Sequence, residues 1–427
     1  TRFAQPVSSV LASTTVVTRE EIEQWQSKNL VEVMRRLPGV DIAQSGGIGQ
    51  SASMYVRGSE ARHTLVLIDG VPIAKPGITG VSDFNQIPIS IIQRIEFIRG
   101  PRSAVYGADA IGGVVNVITQ NPENQNTLSA GLGSKQYQEY SGSVNQNITD
   151  STRITVAGSY QGTNGYNVQP DSGYSIDRDR DGWRNKAFWA GVEHQFNDMF
   201  SGFVRGYGYS ANSDYDANYS GGQDEQQIYN HSFDTGLRFN KDDFSSQLSA
   251  SYQKYKSYNY ASIDGRYADS NSLDDMEQRN LQWGNTLAVG HGTVSAGLDW
   301  QQQKLVSTGQ LYSGAPRESD SYKQDNTGAY VTAQQQLGTV TLEGSVRGDD
   351  NEDYGRHGTW QTAAGWEFVP GYKATLSYGT GFQAPTLGQL YGQKRFGISS
   401  NPDLAPEKSK QWEAGLEGLT GPVNWRI

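Results

Sequence analysis

The chain has 427 residues, of which 50 are glycine and none is cysteine, and its formal net charge is −10 at pH 7. The lack of cysteine excludes thiol chemistry, and the negative charge argues against nucleic acid as a partner. No apolar run reaches the roughly 18 residues that a transmembrane helix needs. A mean hydropathy of −0.63 is typical of soluble proteins, but a membrane β-barrel gives the same value because its outward and inward residues alternate.

Residues 1–121 predict a small α+β domain. Thr18 and Glu21 have the spacing of a helix capping box, and a second short helix is expected to end at Pro38-Gly39. Strand-like segments follow, and Asp69-Gly70 predicts a turn. These segments are 40–42, 54–56, 65–68 and 91–98.

Residues 98–119 combine a charged turn with a buried strand. Arg99-Gly100-Pro101-Arg102 comes first, and the β-branched run Val114–Ile118 ends the segment. Proline fixes φ and glycine permits positive φ, so the pattern predicts a turn that holds two arginines beside a strand.

Beyond Pro122 apolar and polar residues alternate, as in half-buried strands. We count about fourteen such strands, and another begins at Val423. Short turns alternate with long polar loops, which is typical of an outer-membrane antiparallel β-barrel. A soluble sandwich rarely keeps every second connection long. The long loops are predicted near 162–186, 210–228, 256–278, 302–325, 348–358 and 381–410.

One predicted loop has the pattern of a calcium site. Asp177, Asp179 and Asp181 followed by Gly182 imitate the first half of a calcium-binding loop. Position 12 is Phe188 rather than glutamate, so this is not an EF-hand, and further ligands must come from another loop. The next long loop contains Tyr215, Asp216 and Asp224. The alternative is that these acidic residues only solvate an exposed loop.

No pattern in the sequence indicates an enzyme. The five histidines show no metal-ligand spacing, and no Gly-x-Ser-x-Gly elbow occurs. The glycine-rich segment 46–49 lacks the Gly-Lys-Ser/Thr of a phosphate loop and is interpreted as a mobile loop whose tip could touch a ligand.

Four motifs, in this order, resemble the plug domain of TonB-dependent outer-membrane transporters. They are Leu37-Pro38-Gly39-Val40, Tyr55-Val56-Arg57-Gly58, Leu67-Ile68-Asp69-Gly70-Val71 and Ile98-Arg99-Gly100-Pro101. Within that family the likeness is closest to the cobalamin transporters and extends along essentially the whole chain. The segments that carry it are Arg57-Gly58, 107–119, 201–209, 355–362 and 388–392.

The resemblance implies a transmembrane antiparallel β-barrel with an N-terminal plug inside its lumen. Residues 1–121 are expected to form the plug, and residues 122–427 are expected to form part of the barrel. The family has 22 strands, so the remaining strands are expected outside this chain. The TonB box, the segment that the energy-coupling protein TonB binds, is expected upstream of Thr1. The expected location is the outer membrane of a Gram-negative bacterium, within the lipid bilayer and its lipopolysaccharide.

The resemblance also implies ligand-binding residues. Calcium would be held structurally by extracellular-loop residues that correspond to Asp177, Asp179, Asp181, Tyr215, Asp216 and Asp224. Asn167 stands where the family has an aspartate, and Asp177 stands where it has an amide. Cobalamin would contact plug tips and barrel loops at Ser51, Ser53, Glu60, Ile78, Thr79, Ala217 and Ser272.

The function that follows is active uptake of cobalamin, energised through TonB and its inner-membrane complex. Arg99 and Arg102 are expected to pair with carboxylates of the barrel wall and to hold the plug in place. Two alternatives remain. One is a ferric-siderophore receptor of the same architecture. The other is a calcium-dependent adhesin, or a receptor used by phage or bacteriocin, without transport.

Overall fold

The computed structural model describes residues 10–75, 79, 81, 83–169, 179–268, 271–307, 322–391 and 400–427. Ile78 and Asp177, both predicted to bind ligands, lie outside these ranges. Among the described residues, no helix combines the length and the apolar character needed to cross a membrane.

The N-terminal part is the predicted α+β unit. A five-stranded sheet has the strand order β1-β6-β7-β4-β5, with β4 and β7 parallel, and β2 pairs with β3 in a separate hairpin. The strands are β1 (Thr14–Thr18), β2 (Val40–Gln44), β3 (Ala52–Val56), β4 (Thr64–Ile68), β5 (Val71–Pro72), β6 (Arg94–Arg99) and β7 (Gly113–Ile118). The helices are α1 (Arg19–Trp25), α2 (Leu30–Met34) and α3 (Ser103–Tyr106).

The helix start predicted at Thr18 is confirmed. The Thr18 hydroxyl accepts a hydrogen bond from the Glu21 backbone N–H at 3.2 Å, and the Glu21 carboxylate accepts one from the Thr18 N–H at 3.4 Å. This reciprocal cap satisfies two backbone donors that would otherwise lack partners at the first turn of α1.

The remainder forms one 15-stranded sheet in which every strand pairs antiparallel with its neighbours in chain order. This confirms the predicted barrel, including the strand that begins at Val423. The strands are β8 (Gln125–Gly133), β9 (Tyr137–Asn147), β10 (Thr152–Tyr166), β11 (Asp181–Gln195), β12 (Phe200–Asp214), β13 (Glu225–Lys241), β14 (Phe244–Tyr260), β15 (Ser272–Val289), β16 (Gly292–Ser307), β17 (Tyr322–Leu337), β18 (Val340–Asn351), β19 (Gly355–Val369), β20 (Tyr372–Gln383), β21 (Glu407–Thr420) and β22 (Val423–Arg426). The helix α4 (Leu387–Tyr391) lies between β20 and β21.

The domain boundary predicted between residues 121 and 122 stays a prediction. In the structure the last plug strand ends at Ile118 and the first barrel strand begins at Gln125. The boundary therefore falls in a short connection between two sheets that share no strand pairing.

One predicted long loop is wrong. Residues 348–358 form a tight hairpin, because β18 continues to Asn351 and β19 begins at Gly355. The Asn351 side chain accepts a hydrogen bond from the Asp353 N–H at 2.9 Å, and Gly355 has a φ of 78°. The polar residues that indicated a loop instead line the inner face of the strands, where Asp349 and Asn351 are buried.

The barrel strands are apolar outside and polar inside. Leu342 and Val346 of β18 are exposed, whereas Ser345, Arg347 and Asp349 of the same strand are buried. This order is the reverse of a soluble protein's and matches a barrel whose outer face contacts lipid. Outward aromatic side chains contact one another, with the Tyr378 ring centroid 4.9 Å from that of Trp360 and 4.7 Å from that of Trp412.

The plug core is continuous with one part of the barrel wall. Helix and strand residues such as Leu30, Met34, Ile95 and Phe97 pack in one apolar cluster that also includes Trp189 of β11. The wall around Trp189 therefore supplies part of the plug's own hydrophobic core.

Candidate functional site

Three carboxylates from two barrel loops converge at one rim. Asp181 opens β11, and Asp216 follows two residues after the end of β12, the strand paired with β11. With Asp179, they place one carboxylate oxygen each within 4.8 Å of one another. Antiparallel pairing brings the two loops to the same end of the sheet, which explains why residues distant in sequence meet here.

Backbone donors cover only part of this cluster. The Val168 N–H donates to Asp181 Oδ2 and the Gln169 N–H donates to Asp216 Oδ2, both at 2.7 Å. Asn167 Oδ1 and Asp216 Oδ1 are buried without a hydrogen-bond partner. Buried oxygens that accept no hydrogen bond are free to bind a cation. Oxygens of this kind beside grouped carboxylates are the ligands that calcium prefers. The residues present therefore fit a calcium ion.

Asp224 is not one of the three grouped carboxylates, and both Asp224 and Tyr215 have hydrogen-bond partners of their own. The Asp224 carboxylate accepts hydrogen bonds from the Ser262 N–H at 2.6 Å and from its hydroxyl at 2.7 Å. The Tyr215 hydroxyl donates to Asn259 Oδ1 at 3.2 Å. Both residues thus tie the loop after β12 to neighbouring strands and to the loop that contains Ser262.

The glycine-rich plug loop lies under these barrel loops. The Gln50 side-chain amide donates to the Asp214 backbone carbonyl, at the end of β12. Gly49, with a φ of 90°, lies directly against the Trp183 indole of β11, where a Cβ atom would overlap the ring. Both contacts place the tip of this plug loop beside the strands that carry Asp181 and Asp216.

The predicted ligand contacts differ in exposure. Ser51 and Thr79 are exposed, Ser53 and Ala217 are half-buried, and Ser272 is buried. Exposure leaves the first two available to a ligand at the mouth, whereas Ser272 is covered by protein in this structure.

Glu60, the one charged candidate, already has a cation beside it. Its carboxylate accepts a hydrogen bond from Arg62 at 2.7 Å, and this contact lowers the pKa of Glu60. The Arg62 guanidinium also binds the Glu407 carboxylate of β21. The negative charge of Glu60 is thus compensated within the plug.

A plug aspartate contacts the wall through a tyrosine. Asp83 Oδ2 accepts a hydrogen bond from the Tyr255 hydroxyl of β14 at 3.0 Å. Burial raises the pKa of Asp83 to about 6, an effect that the Tyr255 hydrogen bond opposes and the nearby Asp274 charge reinforces.

The predicted pairing of plug arginines with the wall is confirmed for one residue and wrong for the other. Arg102 lies 3.4 Å from the Glu343 carboxylate of β18. Arg99 instead donates to the Pro38 carbonyl at 2.7 Å and to the Thr15 hydroxyl at 2.9 Å, both within the plug. Its side chain is buried within the plug, 6% exposed, at the end of β6.

Sequence reasoning missed two ionic contacts of the lumen. Arg57 makes a two-pronged ion pair with Glu413 of β21, at 2.7 and 3.2 Å. Arg347, buried inside the wall, lies 2.7 Å from Asp299 and 2.8 Å from Asp349. The Arg57–Glu413 partners are more than 300 residues apart, so no local spacing signals them; an inward-facing charge on an alternating strand was the only clue to Arg347.

Two family descriptions match the chain, one for each part of the fold. Residues 6–114 match the TonB-dependent Receptor Plug Domain, and residues 124–427 match the TonB dependent receptor-like beta-barrel. Together they cover almost the whole chain.

Solved structures with this fold include several siderophore receptors. The siderophore receptor PirA from Acinetobacter baumannii is 21% identical, with a TM-score of 0.79 over 96% of this chain and 69% of its own. The ferric enterobactin receptor PfeA from Pseudomonas aeruginosa is 19% identical, with a TM-score of 0.82 over 98% of this chain and 71% of its own. FpvA from P. aeruginosa, bound to pyoverdine, is 16% identical, with a TM-score of 0.77 over 96% of this chain and 61% of its own.

At these identities the structures establish a shared fold, and the family matches establish membership. The plug, the outward apolar face and the antiparallel sheet agree with both. The chain belongs to the TonB-dependent receptors of the Gram-negative outer membrane.

Proposed function

We propose that this receptor takes up cobalamin, with calcium holding its extracellular loops in the binding-competent arrangement. The observation that carries the proposal is the convergence of Asp179, Asp181 and Asp216, beside buried oxygens that lack hydrogen-bond donors. The resemblance of the sequence to cobalamin transporters supports cobalamin as the ligand.

The residues of the cluster fix three segments relative to one another. Asp181 and Asp216 accept hydrogen bonds from Val168 and Gln169, so the end of β10 is bound to both loops. A bound calcium ion would supply positive charge that replaces the repulsion among the carboxylates. Loops held in this way would bind a ligand without first losing conformational entropy, so metal and ligand binding would be positively coupled.

The plug side of the mouth suits a ligand with neutral polar groups. The predicted contacts Ser51, Ser53 and Thr79 offer hydroxyl groups, which hydrogen-bond to amides without adding charge. Glu60 is the exception, and its ion pair with Arg62 offsets its charge. Ile78, Ala217 and Ser272 complete the predicted set.

Energy for transport would come from TonB and its inner-membrane complex, which would remodel the plug through an N-terminal segment. The ion pairs Arg102–Glu343 and Arg57–Glu413 would hold the plug until that force acts. The surrounding bilayer and lipopolysaccharide would contact the apolar outer face, and phage or bacteriocins could bind the exposed loops as secondary partners.

A ferric-siderophore receptor is the second candidate, and the solved relatives favour it because PirA and PfeA are siderophore receptors. The acidic loops around Asp179 and Asp216 oppose it, since carboxylates repel an anionic iron complex. A non-transporting adhesin remains the third alternative, and it would need neither a plug nor TonB.

Equilibrium binding to the purified full-length receptor separates these functions. Cyanocobalamin and ferric enterobactin are each titrated with calcium and then with a chelator. The proposal predicts cyanocobalamin binding that weakens at least about tenfold on chelation. Cyanocobalamin binding with the same affinity in calcium and in chelator would show that the metal has no role in ligand binding. Binding of ferric enterobactin but not of cyanocobalamin would show that the ligand is a siderophore.

A further inference from the structure

Two polar cavities lie between the plug and one side of the barrel wall. The outer cavity, about 100 Å³, reaches Gln324, Asn351 and Thr386 near the ends of strands that lead into the loops. The inner cavity, about 410 Å³, reaches Asn240 and Thr286 near the short turns at the opposite rim. Together they extend along β13–β18 from one rim of the barrel to the other.

The cavities meet at a constriction formed by Gly70, Tyr106 and Gln282, which line both of them. Gly70 belongs to the turn between β4 and β5, and Tyr106 ends α3. The Gln282 side-chain amide donates to the Gly70 carbonyl at 3.3 Å. One wall side chain and two plug residues therefore separate the outer cavity from the inner one.

The side of the plug that faces the adjacent strands β10–β12 is fixed to the wall. Trp189 of β11 is 5% exposed and belongs to the plug core. The Gln161 amide of β10 donates to the Lys28 carbonyl at 2.8 Å, and the Ser90 and Ser159 hydroxyls lie 2.6 Å apart. A cavity of about 60 Å³ on this side lies near the first barrel strands and is bounded by Trp189.

This difference decides which of these two parts of the wall separates from the plug at the lower cost. Moving the plug away from β10–β12 would expose Trp189 and other apolar side chains to water, which is unfavourable. Moving it away from β13–β18 would break the Arg102–Glu343 ion pair and separate Ala74 from Ile228 and Met276, although Ala74 exposes less apolar area than Trp189 would. Elsewhere along β13–β18 it would break hydrogen bonds across cavities that are polar and large enough for water, so water could replace those bonds.

We propose that the transported ligand passes along the β13–β18 side of the plug, through the constriction at Gly70, Tyr106 and Gln282, while the plug stays anchored to β10–β12. This route rests on the proposed transport function and adds its path through the protein.

The lining of the route also indicates the class of ligand. Seven side-chain amides line the outer cavity, namely Asn280, Gln282, Gln301, Gln303, Gln324, Asn326 and Asn351. Its two cations each lie against a carboxylate, Arg347 at 2.7 Å from Asp299 and Lys75 at 3.5 Å from Asp109. Such a surface exchanges hydrogen bonds with a neutral ligand rich in amides and offers little net attraction to an anion.

A cysteine pair tests the route, because the chain has no cysteine of its own. Gln282→Cys places a thiol at the constriction, and Gln161→Cys places one on the anchored side. The two are matched because each glutamine donates to a plug carbonyl. Each full-length variant is produced in cells with and without TonB and treated with a water-soluble methanethiosulfonate reagent.

The expected result is that TonB accelerates modification of Gln282→Cys by about tenfold or more and leaves Gln161→Cys unchanged. After attachment of a bulky thiol reagent, the Gln282→Cys receptor should still bind cyanocobalamin, but its uptake should fall by about tenfold. The route would be overturned if TonB accelerated modification equally at the two positions. Unchanged uptake after modification of Gln282→Cys would also overturn it.

Failure of the proposed function gives a different result. The unmodified Gln282→Cys receptor would then take up no cyanocobalamin in any condition. The comparison of modification rates at Gln282→Cys and Gln161→Cys would still report which side of the plug opens when TonB acts.

Discussion

At the scale of single residues, the acidic cluster at the barrel rim is the most informative feature. Asp179, Asp181 and Asp216 hold like charges within 4.8 Å of one another. Only one oxygen of Asp216 has a backbone donor, from Gln169, and its other oxygen is buried without a partner. Charges grouped in this way are favourable only when a cation or protons compensate them.

Removing two of these charges should weaken calcium binding. The double variant Asp179→Asn with Asp216→Asn is expected to lower calcium affinity by about tenfold or more, because calcium affinity depends on the number of charged ligands. Isothermal titration of the chelator-treated receptor measures it.

Asp224→Asn is the matched control for that variant. The Asp224 carboxylate binds Ser262 rather than the cluster, so we expect calcium affinity within about twofold of the unmodified chain. An equal loss in Asp224→Asn would show that Asp224 is a ligand, as the resemblance implies, and that calcium binding rearranges the loops.

Asp83 should make plug stability depend on pH. Its pKa is raised from 3.8 to about 6 chiefly by burial, so the folded state favours the protonated carboxyl. That stabilising contribution is complete below 3.8 and is lost as the pH rises through about 6.

Asp83→Asn should therefore stabilise the plug above pH 6 and have little effect below 3.8. Hydrogen exchange of the Ile87 amide, which donates to the Phe84 carbonyl, measures this when both proteins are compared at the same pH. A difference in protection that is the same at every pH would contradict the assignment to Asp83.

At the scale of elements, the contact between the plug loop 46–50 and β11 connects the two parts of the fold. Gly49 has a φ of 90° and lies against Trp183, so its lack of a side chain is required both by the backbone and by the neighbouring indole.

Gly49→Ala should destabilise this contact by about 1–3 kcal/mol, because it adds backbone strain and an overlap with Trp183. Gly58→Ala is the matched control, since Gly58 also has a positive φ but no neighbour within 4 Å of an added Cβ. Hydrogen exchange of the Gln50 backbone amide should rise more in Gly49→Ala than exchange of the backbone amides around Gly58 rises in Gly58→Ala. Equal effects of the two variants on their own loops would show that backbone strain alone is responsible.

Elements were more predictable from the sequence than contacts between them. Alternation of apolar and polar residues identified the barrel strands, and the Thr18 cap identified the start of α1, because both signals are local. The hairpin at 352–354 was missed because inward-facing polar residues in a barrel strand have the composition of a loop.

The candidate site was predictable only in part for the same reason. The spacing of Asp179 and Asp181 is visible in the sequence, whereas the roles of Asn167 and Gln50 depend on pairing between distant segments. Arg99 and Arg57 show the limit most clearly, since which of two nearby plug arginines reaches Glu413 depends on strand order and side-chain direction.

In the whole molecule, the plug lies between the proposed ligand site at the loop rim and the proposed route through the lumen. Its tip contacts the strands that carry the acidic cluster, and another part of it borders the cavities along β13–β18. Ion pairs such as Arg102–Glu343 hold it between these two regions. In the proposed mechanism, a force on the plug would open a path without disturbing the barrel sheet.

Uptake by living cells distinguishes cobalamin transport from the alternative functions. The full-length receptor is produced in cells that lack their own cobalamin receptor, and radiolabelled cyanocobalamin is followed with and without TonB. Accumulation is expected to require TonB and to decrease when external calcium is chelated. Accumulation that persists without TonB, or none at all while a ferric siderophore is accumulated, would contradict this expectation.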